Sequence, residues 1–151
     1  MSLPDSFDPA VTAQLVARIR TLTQAHAPRW GTMTPARMLA HCCILYDQIE
    51  GRHDGGPWVI RLLARLFAKR KIVSETPFKE NLPTPRAAQI QDDRDFAMEQ
   101  ARLLGLIASV HGRGAAGMEG HVSPVFGPLT AQEWSNLLWK HLDHHLRQFG
   151  V

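Results

Sequence analysis

The chain has 151 residues, of which 44% are hydrophobic and 21% charged, values that are ordinary for one soluble globular domain covering residues 1–151. The net charge of +3 is small and spread along the chain, so it does not by itself indicate nucleic-acid binding. The adjacent cysteines Cys42 and Cys43 have no further partner, which favours a reducing, cytoplasmic compartment. We find no signal segment and no transmembrane stretch.

Two amphipathic helices are predicted in the first third of the chain. The segment DPAVTAQLVARIRTLTQAHA begins with Asp8 as N-cap and Pro9 in the first turn, and apolar residues then recur at steps of three or four. The segment TPARMLAHCCILYDQIEGR begins in the same way, with Thr34 as cap and Pro35 next. The second helix places on one face Met38, His41, Leu45 and Ile49.

The remaining segments predict two more long helices and a shorter one. PWVIRLLARLFAKRKI is typical of a short basic helix, and the proline-containing VSETPFKENLPTPRAA is expected to be irregular. A third main helix is expected over roughly residues 92–111, followed by a loop, GRGAAGMEGHVSPVFGP. The last helix opens with Thr130 and Glu133 at capping-box spacing. No strand pattern is convincing, so we predict an all-α fold: a four-helix bundle with a short accessory helix.

Three histidines lie on apolar helix faces. Residues four apart differ by about 40° around a helix, so His141 and His145 share the buried face of the last helix, and His41 lies on the buried face of the second. A buried imidazole needs polar partners, and three such rings can satisfy one another by ligating one metal ion. The alternative is that each is an ordinary core histidine bonded to a carbonyl or carboxylate, since His-x-x-x-His pairs also occur by chance.

Neighbouring polar residues are expected to have less specific roles. His144 is turned about 60° from His141 and is expected at the helix flank, with Asp143 on the solvent side. The hydroxyl of Tyr46 is expected at the surface, although His144 and Tyr46 are also candidates for proton transfer beside a metal. His111 is expected at a helix end, facing the C-terminal dipole. We found no residue that could be named as catalytic from the pattern.

The segments RWGTMTPARMLAHCC and FGPLTAQEWSNLLWKHLDHHLRQFG, together with NLPTP, resemble the DinB-like (DinB/YfiT-like) superfamily of metalloenzymes, and the ending HHLRQFG resembles one uncharacterised branch of it. The resemblance implies a four-helix bundle with an up-down-down-up arrangement. It also implies a divalent metal held by His41, His141 and His145, and related members are thiol S-transferases or isomerases that use low-molecular-weight thiols. One departure is Ser123, where relatives of this branch carry histidine, and His121 lies two residues earlier.

These features lead to a functional hypothesis. A metal held by three neutral imidazoles keeps its full charge and lowers the pKa of a bound water, or binds a thiolate. We therefore expect a metal-dependent thiol S-transferase or hydrolase with a small-molecule substrate. The metal is divalent, and imidazole ligands do not choose among Zn, Ni, Fe and Mn.

Two other classes of function compete with this one. The basic helix over residues 57–72 has apolar residues on one side and Arg61, Arg65 and Lys69 on the other. Such a helix can lie on an anionic membrane or dock a partner, which would make the protein a non-catalytic binding bundle. Alternatively, its apolar side packs on the bundle or on a second subunit of a homodimer, and its basic side is solvated. No motif indicates specific nucleic-acid recognition.

Overall fold

The protein is mostly helical with one small two-stranded sheet, as described by a computed structural model of residues 2–151. In chain order the elements are α1 (Pro9–Thr21), α2 (Pro35–Ile49), α3 (Trp58–Leu63), a π-helical turn (Ala64–Ala68), α4 (Lys69–Val73), a 3₁₀ turn (Arg86–Ala88), α5 (Phe96–His111), α6 (Gly114–Met118), β1 (Val122–Ser123), β2 (Gly127–Pro128) and α7 (Ala131–Gln148). Within residues 2–151, no helix is long and apolar enough to cross a membrane.

The helix starts follow from local capping. The Asp8 and Thr34 side chains accept hydrogen bonds from the first turns of α1 and α2, and Thr130 and Glu133 form the expected capping box of α7. The third long helix begins later than predicted. Its cap is Asp95, whose carboxylate accepts from the Met98 amide, so the turn that contains residue 92 stays outside the helix.

The four long helices share one apolar core. Helix α2 packs against α5 and α7, and α1 packs against the same two helices. The largest fully buried side chains are Trp134, Tyr46, Leu15, Ile19, Leu22, Met38, Leu39, Leu103, Ile107, Met118, Leu129 and Leu138. Each large apolar side chain stabilises the fold by roughly 1.5–3 kcal/mol when fully buried. This packing places the buried faces of α2 and α7 against each other, which decides where their histidines meet.

The segment predicted to be a loop between α5 and α7 contains regular structure. Helix α6 precedes a hairpin in which Val122 pairs with Pro128 and Ser123 with Gly127. The Ser123 hydroxyl accepts hydrogen bonds from the amides of Val125 and Phe126 and so closes the turn. Two-residue strands are too short to show an alternating pattern, which is why no strand is predicted here.

The basic helix is a continuous helical run from α3 to α4, and its orientation decides between two of the alternatives stated for it. Its large apolar side chains point away from the body and are exposed; we call these residues the outer face: Trp58, Val59, Ile60, Leu62, Leu63, Leu66 and Phe67. The expectation that this stripe packs on the bundle is therefore wrong. Only the end of the run, at Ile72 and Val73, joins the core.

Three polar residues are more deeply placed than expected. Asp143 was expected on the solvent side, but it is 8% exposed and pairs with Arg18 of α1 as well as with Arg147. The Tyr46 hydroxyl was expected at the surface, but Tyr46 is fully buried and its hydroxyl lies 2.9 Å from His111 Nε2. His111 is thus a core residue rather than a partner of the helix dipole, because α1 covers the end of α5.

Candidate metal centre

His41 of α2 and His141 and His145 of α7 meet at one point between the two helices. Their ring centroids form a nearly equilateral triangle, with sides of 5.0, 4.8 and 5.0 Å, and each pair of rings meets edge to face. One ring nitrogen from each residue lies within 4.8 Å of the other two. The structure therefore brings together the three histidines that the helical pattern singled out.

The orientation of His41 is fixed by the proline-rich connection. The 3₁₀ turn Arg86–Ala88 presents the Ala88 carbonyl oxygen 2.7 Å from His41 Nδ1. A carbonyl can only accept, so the proton of the neutral ring is on Nδ1 and the lone pair is on Nε2. His41 therefore points an unprotonated nitrogen at the centre of the cluster, as a metal ligand must.

His145 is fixed in the same way by its own helix. Its Nδ1 lies 2.9 Å from the Gln148 side-chain oxygen, and the Gln148 amide nitrogen donates to the Trp30 carbonyl at 2.9 Å. Since the amide nitrogen is used by Trp30, the oxygen must face the ring and accept its proton. His145 Nε2 is consequently left with a lone pair, like His41 Nε2.

His141 is the least constrained of the three rings. Its Nε2 lies 3.0 Å from His41 Nε2, while its Nδ1 is buried and has no hydrogen-bond partner among residues 2–151. Without an ion, the His141 Nε2 proton is donated to His41, and His145 Nε2 receives nothing from this pair. His141 Nδ1 is thus a buried polar atom without a partner, and the lone pair of His145 Nε2 receives no proton from a neighbouring ring, a situation that costs free energy unless another group supplies a partner.

Burial keeps all three imidazoles neutral. Desolvation lowers the pKa of His41, and it lowers the pKa of His145 to about 3. Desolvation is also the main reason why the pKa of His141 lies well below its usual value, and the neighbouring His145 and His41 lower it further. At neutral pH each ring is therefore uncharged and keeps one nitrogen with a free lone pair, which is the state that binds metal ions.

The three-histidine group fits a divalent ion. With metal–nitrogen bonds of about 2.0–2.1 Å, tetrahedral ligands lie about 3.4 Å apart. The His41–His141 nitrogen distance of 3.0 Å is close to this value, and the three ligand nitrogens all lie within 4.8 Å of one another. Three protein ligands would leave further coordination positions of such an ion open to water or another molecule.

The histidines form the floor of a largely apolar cavity of about 200 Å³. Helices α2 and α7 supply one side of it, and the proline-rich connection supplies the other with Phe78, Leu82 and Pro83. Phe126 of the β-hairpin completes the wall. Apolar walls exclude water and strengthen electrostatic interactions with any charge at the floor.

A buried lysine holds one wall of this cavity in place. Lys140 is 2% exposed, and its ammonium group donates to the carbonyls of Lys71 and Thr76 and lies 4.7 Å from the centre of the Phe78 ring. Desolvation lowers the pKa of Lys140 to about 8. No sequence signal identified this residue, because its carbonyl partners belong to an irregular segment.

His144 lies beside the three-histidine group without joining it. We expected it at the helix flank, but it is 7% exposed and packs between Trp30 and Phe78. It is not among the histidines whose nitrogens converge, although it lines the cavity, and its Nδ1 is buried without a hydrogen-bond partner in the described part of the chain.

The other polar groups near the ligand-bearing helices lie away from the centre. Asp47 pairs with Arg52 and Arg102 rather than with a histidine, and Cys42 is a core residue. The His121 Nε2–H group donates to the Ile49 carbonyl oxygen, 3.0 Å away, so His121 does not replace a ligand at Ser123. The Ala88 carbonyl and Gln148 were missed as partners of the histidines. Only Gln148 had a signal, since it follows His145 by three residues on the same helix.

Replacing Gln148 by alanine should weaken metal binding by about 10–100-fold, because His145 loses the acceptor that fixes its ring. Gln148→Glu should stay within a few-fold of the unmodified protein, since a carboxylate oxygen accepts the same proton. Competition with a chromophoric chelator measures both. The matched control is Gln132→Ala at the exposed start of α7. An unchanged affinity in Gln148→Ala would show that Gln148 does not support the ligand.

Comparison with known proteins gives a family but no function. No curated protein and no solved structure matches the chain. A family model described as "Protein of unknown function (DUF1569)" matches residues 6–150. Nothing indicates a DinB-like family, so the resemblance drawn from the second and last helices is wrong, and the arrangement and activity that it implied lose that support. The chain belongs to the DUF1569 family of proteins of unknown function.

Proposed function

We propose that the protein is a metal-dependent enzyme, a transferase or hydrolase, with one divalent ion held by His41, His141 and His145. The observation that supports this most strongly is the convergence of three neutral imidazoles on one point, two from buried residues and one from the half-buried His141, with the outer nitrogens of His41 and His145 already bonded. Core histidines that only fill space do not need their unprotonated nitrogens to face each other.

A bound ion would remove the repulsion between the nitrogen lone pairs that face each other within the three-histidine group. His41 and His145 both point lone pairs inward, and only His141 can offer a proton in return. A single cation accepts all three lone pairs at once. No carboxylate belongs to the group of converging ligand atoms found in residues 2–151, so the ion would keep its full charge.

The chemistry of the site follows from this charge. A divalent ion bound here would act as a Lewis acid and lower the pKa of a water or thiol bound to it. The surrounding residues would do the rest: Phe78, Phe126 and Leu82 would exclude water and receive an apolar part of the substrate. The substrate we propose is a small molecule, and the co-substrate is water or a low-molecular-weight thiol.

We further propose that α1, α2, α5 and α7 form a four-helix bundle around the shared core. Each of the four contacts two others, and both ligand-bearing helices belong to the set. In such bundles metal sites are built in the interior from side chains on facing helices. In this arrangement α2 and α7 would supply one side of the site, and the proline-rich connection would supply the opposite wall.

Cobalt provides a test that needs no known substrate. Protein loaded with Co²⁺ should show visible absorption bands of a low-coordinate ion bound to nitrogen. These bands should shift when azide or a small thiol is added, because a coordination position is open. Bands that do not respond to either added ligand would indicate a closed structural site, and the proposed enzymatic function would fail.

A second function is favoured by the cavity itself. The apolar pocket of about 200 Å³ could bind a small molecule without catalysis, with His41 and His141 hydrogen-bonded to each other. This alternative predicts no specific Co²⁺ binding. The same spectroscopic experiment therefore separates the two functions.

A further inference from the structure

The outer face of the α3–α4 run is a large exposed apolar surface. Its seven residues have exposed fractions between 44% and 80%, the highest being those of Phe67 and Trp58. Elsewhere on the described surface, exposed large apolar residues occur singly, as at Met98 and Val122. A contiguous apolar surface of this kind marks a site of interaction.

The helix is held to the body by its basic side. Arg61 donates to the Asp54 carbonyl, and Lys69 donates to the carbonyl of Pro128 in the β-hairpin. The Arg65 guanidinium lies against Gly127, where any side chain would approach it closely. These bonds orient the helix so that the outer face points to the surroundings rather than into the core.

The charge around the outer face indicates which kind of surface binds there. Between Gly55 and Ser74 the chain has five cationic residues and no acidic one. Arg65, Arg70 and Lys71 are exposed beside the apolar residues. A second copy of the same face would bring like charges together, which disfavours self-association, whereas an anionic surface would attract them.

We propose that the outer face docks the protein on an anionic lipid membrane, with Trp58 and Phe67 inserted at the level of the headgroups. The helix combines the required features: a bulky apolar side with aromatic residues, flanking cations and a fixed outward orientation. This inference does not rest on the metal centre, because no ligand residue belongs to the α3–α4 run.

Sedimentation with vesicles tests the docking. The full chain should bind vesicles of phosphatidylcholine with about 30% phosphatidylserine at least about 10-fold more tightly than pure phosphatidylcholine. Binding should weaken at high salt, because screening reduces the attraction of the cations. Equal partitioning onto the two vesicles, or none onto either, would overturn the proposal.

Matched variants show whether the outer face is responsible. Trp58→Glu with Phe67→Glu should lower partitioning at least about 10-fold. The control, Met98→Glu with Val122→Glu, makes the same charge change at two exposed apolar positions elsewhere and should leave partitioning within about 2-fold. Circular dichroism should show that both variants are folded. Equal losses in the two would contradict docking through the outer face.

Light scattering distinguishes a second copy from a membrane. The proposal predicts that the unmodified protein does not dimerise through this face, so Trp58→Glu with Phe67→Glu leaves its mass unchanged. A dimer that dissociates in this variant would show that a second copy covers the outer face. That result would overturn membrane docking.

Discussion

Replacement of His145 by alanine is expected to lower the affinity for a divalent ion by on the order of 10²–10³-fold. Zinc bound to four ligands in small domains contributes about 10–16 kcal/mol, so one ligand accounts for about 3–4 kcal/mol, and each 1.4 kcal/mol is a tenfold change. Elemental analysis of protein purified without an affinity tag should find about one equivalent of metal in the unmodified chain and under about a tenth in the variant.

The adjacent histidine is the control for this experiment. His144 has the same exposed fraction as His145, 7%, and lies on the same helix, but its ring does not join the converging group. His144→Ala should keep about one equivalent of metal. Equal trace amounts of metal in the unmodified protein and in both variants would rule out the three-histidine centre.

The metal-free protein is expected to lose about 3 kcal/mol of stability between pH 7 and pH 4 through His111 alone. Desolvation lowers the pKa of His111 from 6.5 to about 4 in the folded state, so the unfolded chain binds the proton first. The stabilisation is fully present above pH 6.5 and is lost as the pH falls towards 4. The magnitude follows from about 1.4 kcal/mol per pKa unit.

The hydrogen bonds of His111 explain why protonation of its second ring nitrogen is unfavourable. The Thr12 hydroxyl donates to the Ser6 carbonyl, so it accepts from His111 Nδ1, 3.0 Å away. His111 Nε2 therefore accepts from the Tyr46 hydroxyl. Protonation would place a second donor opposite that hydroxyl, inside the core, and would break the favourable pairing.

Urea unfolding in the presence of a chelator, at pH 7 and pH 4, measures the effect. The double variant His111→Phe with Tyr46→Phe removes both polar partners, and its pH-dependent loss should be smaller than that of the unmodified protein by about 3 kcal/mol. Tyr46→Phe alone keeps His111 and its burial, the main cause of its lowered pKa, and should keep most of the pH dependence. An undiminished pH dependence in the double variant would exclude His111 as the source.

Helical periodicity predicted the centre of the site because the chemistry lies on regular elements. His41 follows Met38 on the buried face of α2, and His141 and His145 are one turn apart on α7. Because the histidine-bearing faces of α2 and α7 are buried and the two helices pack together, the three rings lie in the same part of the interior. The pattern alone left open that each was a separate core histidine, and the packing of α2 against α7 is what places the three rings together.

Other parts of the molecule depend on contacts distant in sequence. Asp143 is buried because Arg18, 125 residues earlier, pairs with it, and the carbonyl that orients His41 belongs to an irregular segment. The outward orientation of the α3–α4 run depends on bonds to the hairpin at Pro128. A periodic pattern identifies an apolar face but does not say whether the protein or something else covers it.

The assignment of the family failed for a different reason. Short segments around His41 and the last helix resembled DinB-like proteins, but the match over residues 6–150 is to the DUF1569 family. Histidines four apart on an amphipathic helix are a solution to metal binding that unrelated sequences can reach. The local motif is therefore better support for the proposed metal binding than for membership of a particular family.

X-ray absorption spectroscopy of the zinc-loaded protein tests the central claim most directly. The account predicts three imidazole nitrogens at about 2.0–2.1 Å from one ion, with the multiple-scattering signature of histidine rings, and one further ligand that exchanges with solvent. A spectrum with fewer than three imidazoles, or one dominated by carboxylate or water oxygens, would show that His41, His141 and His145 do not hold a common ion.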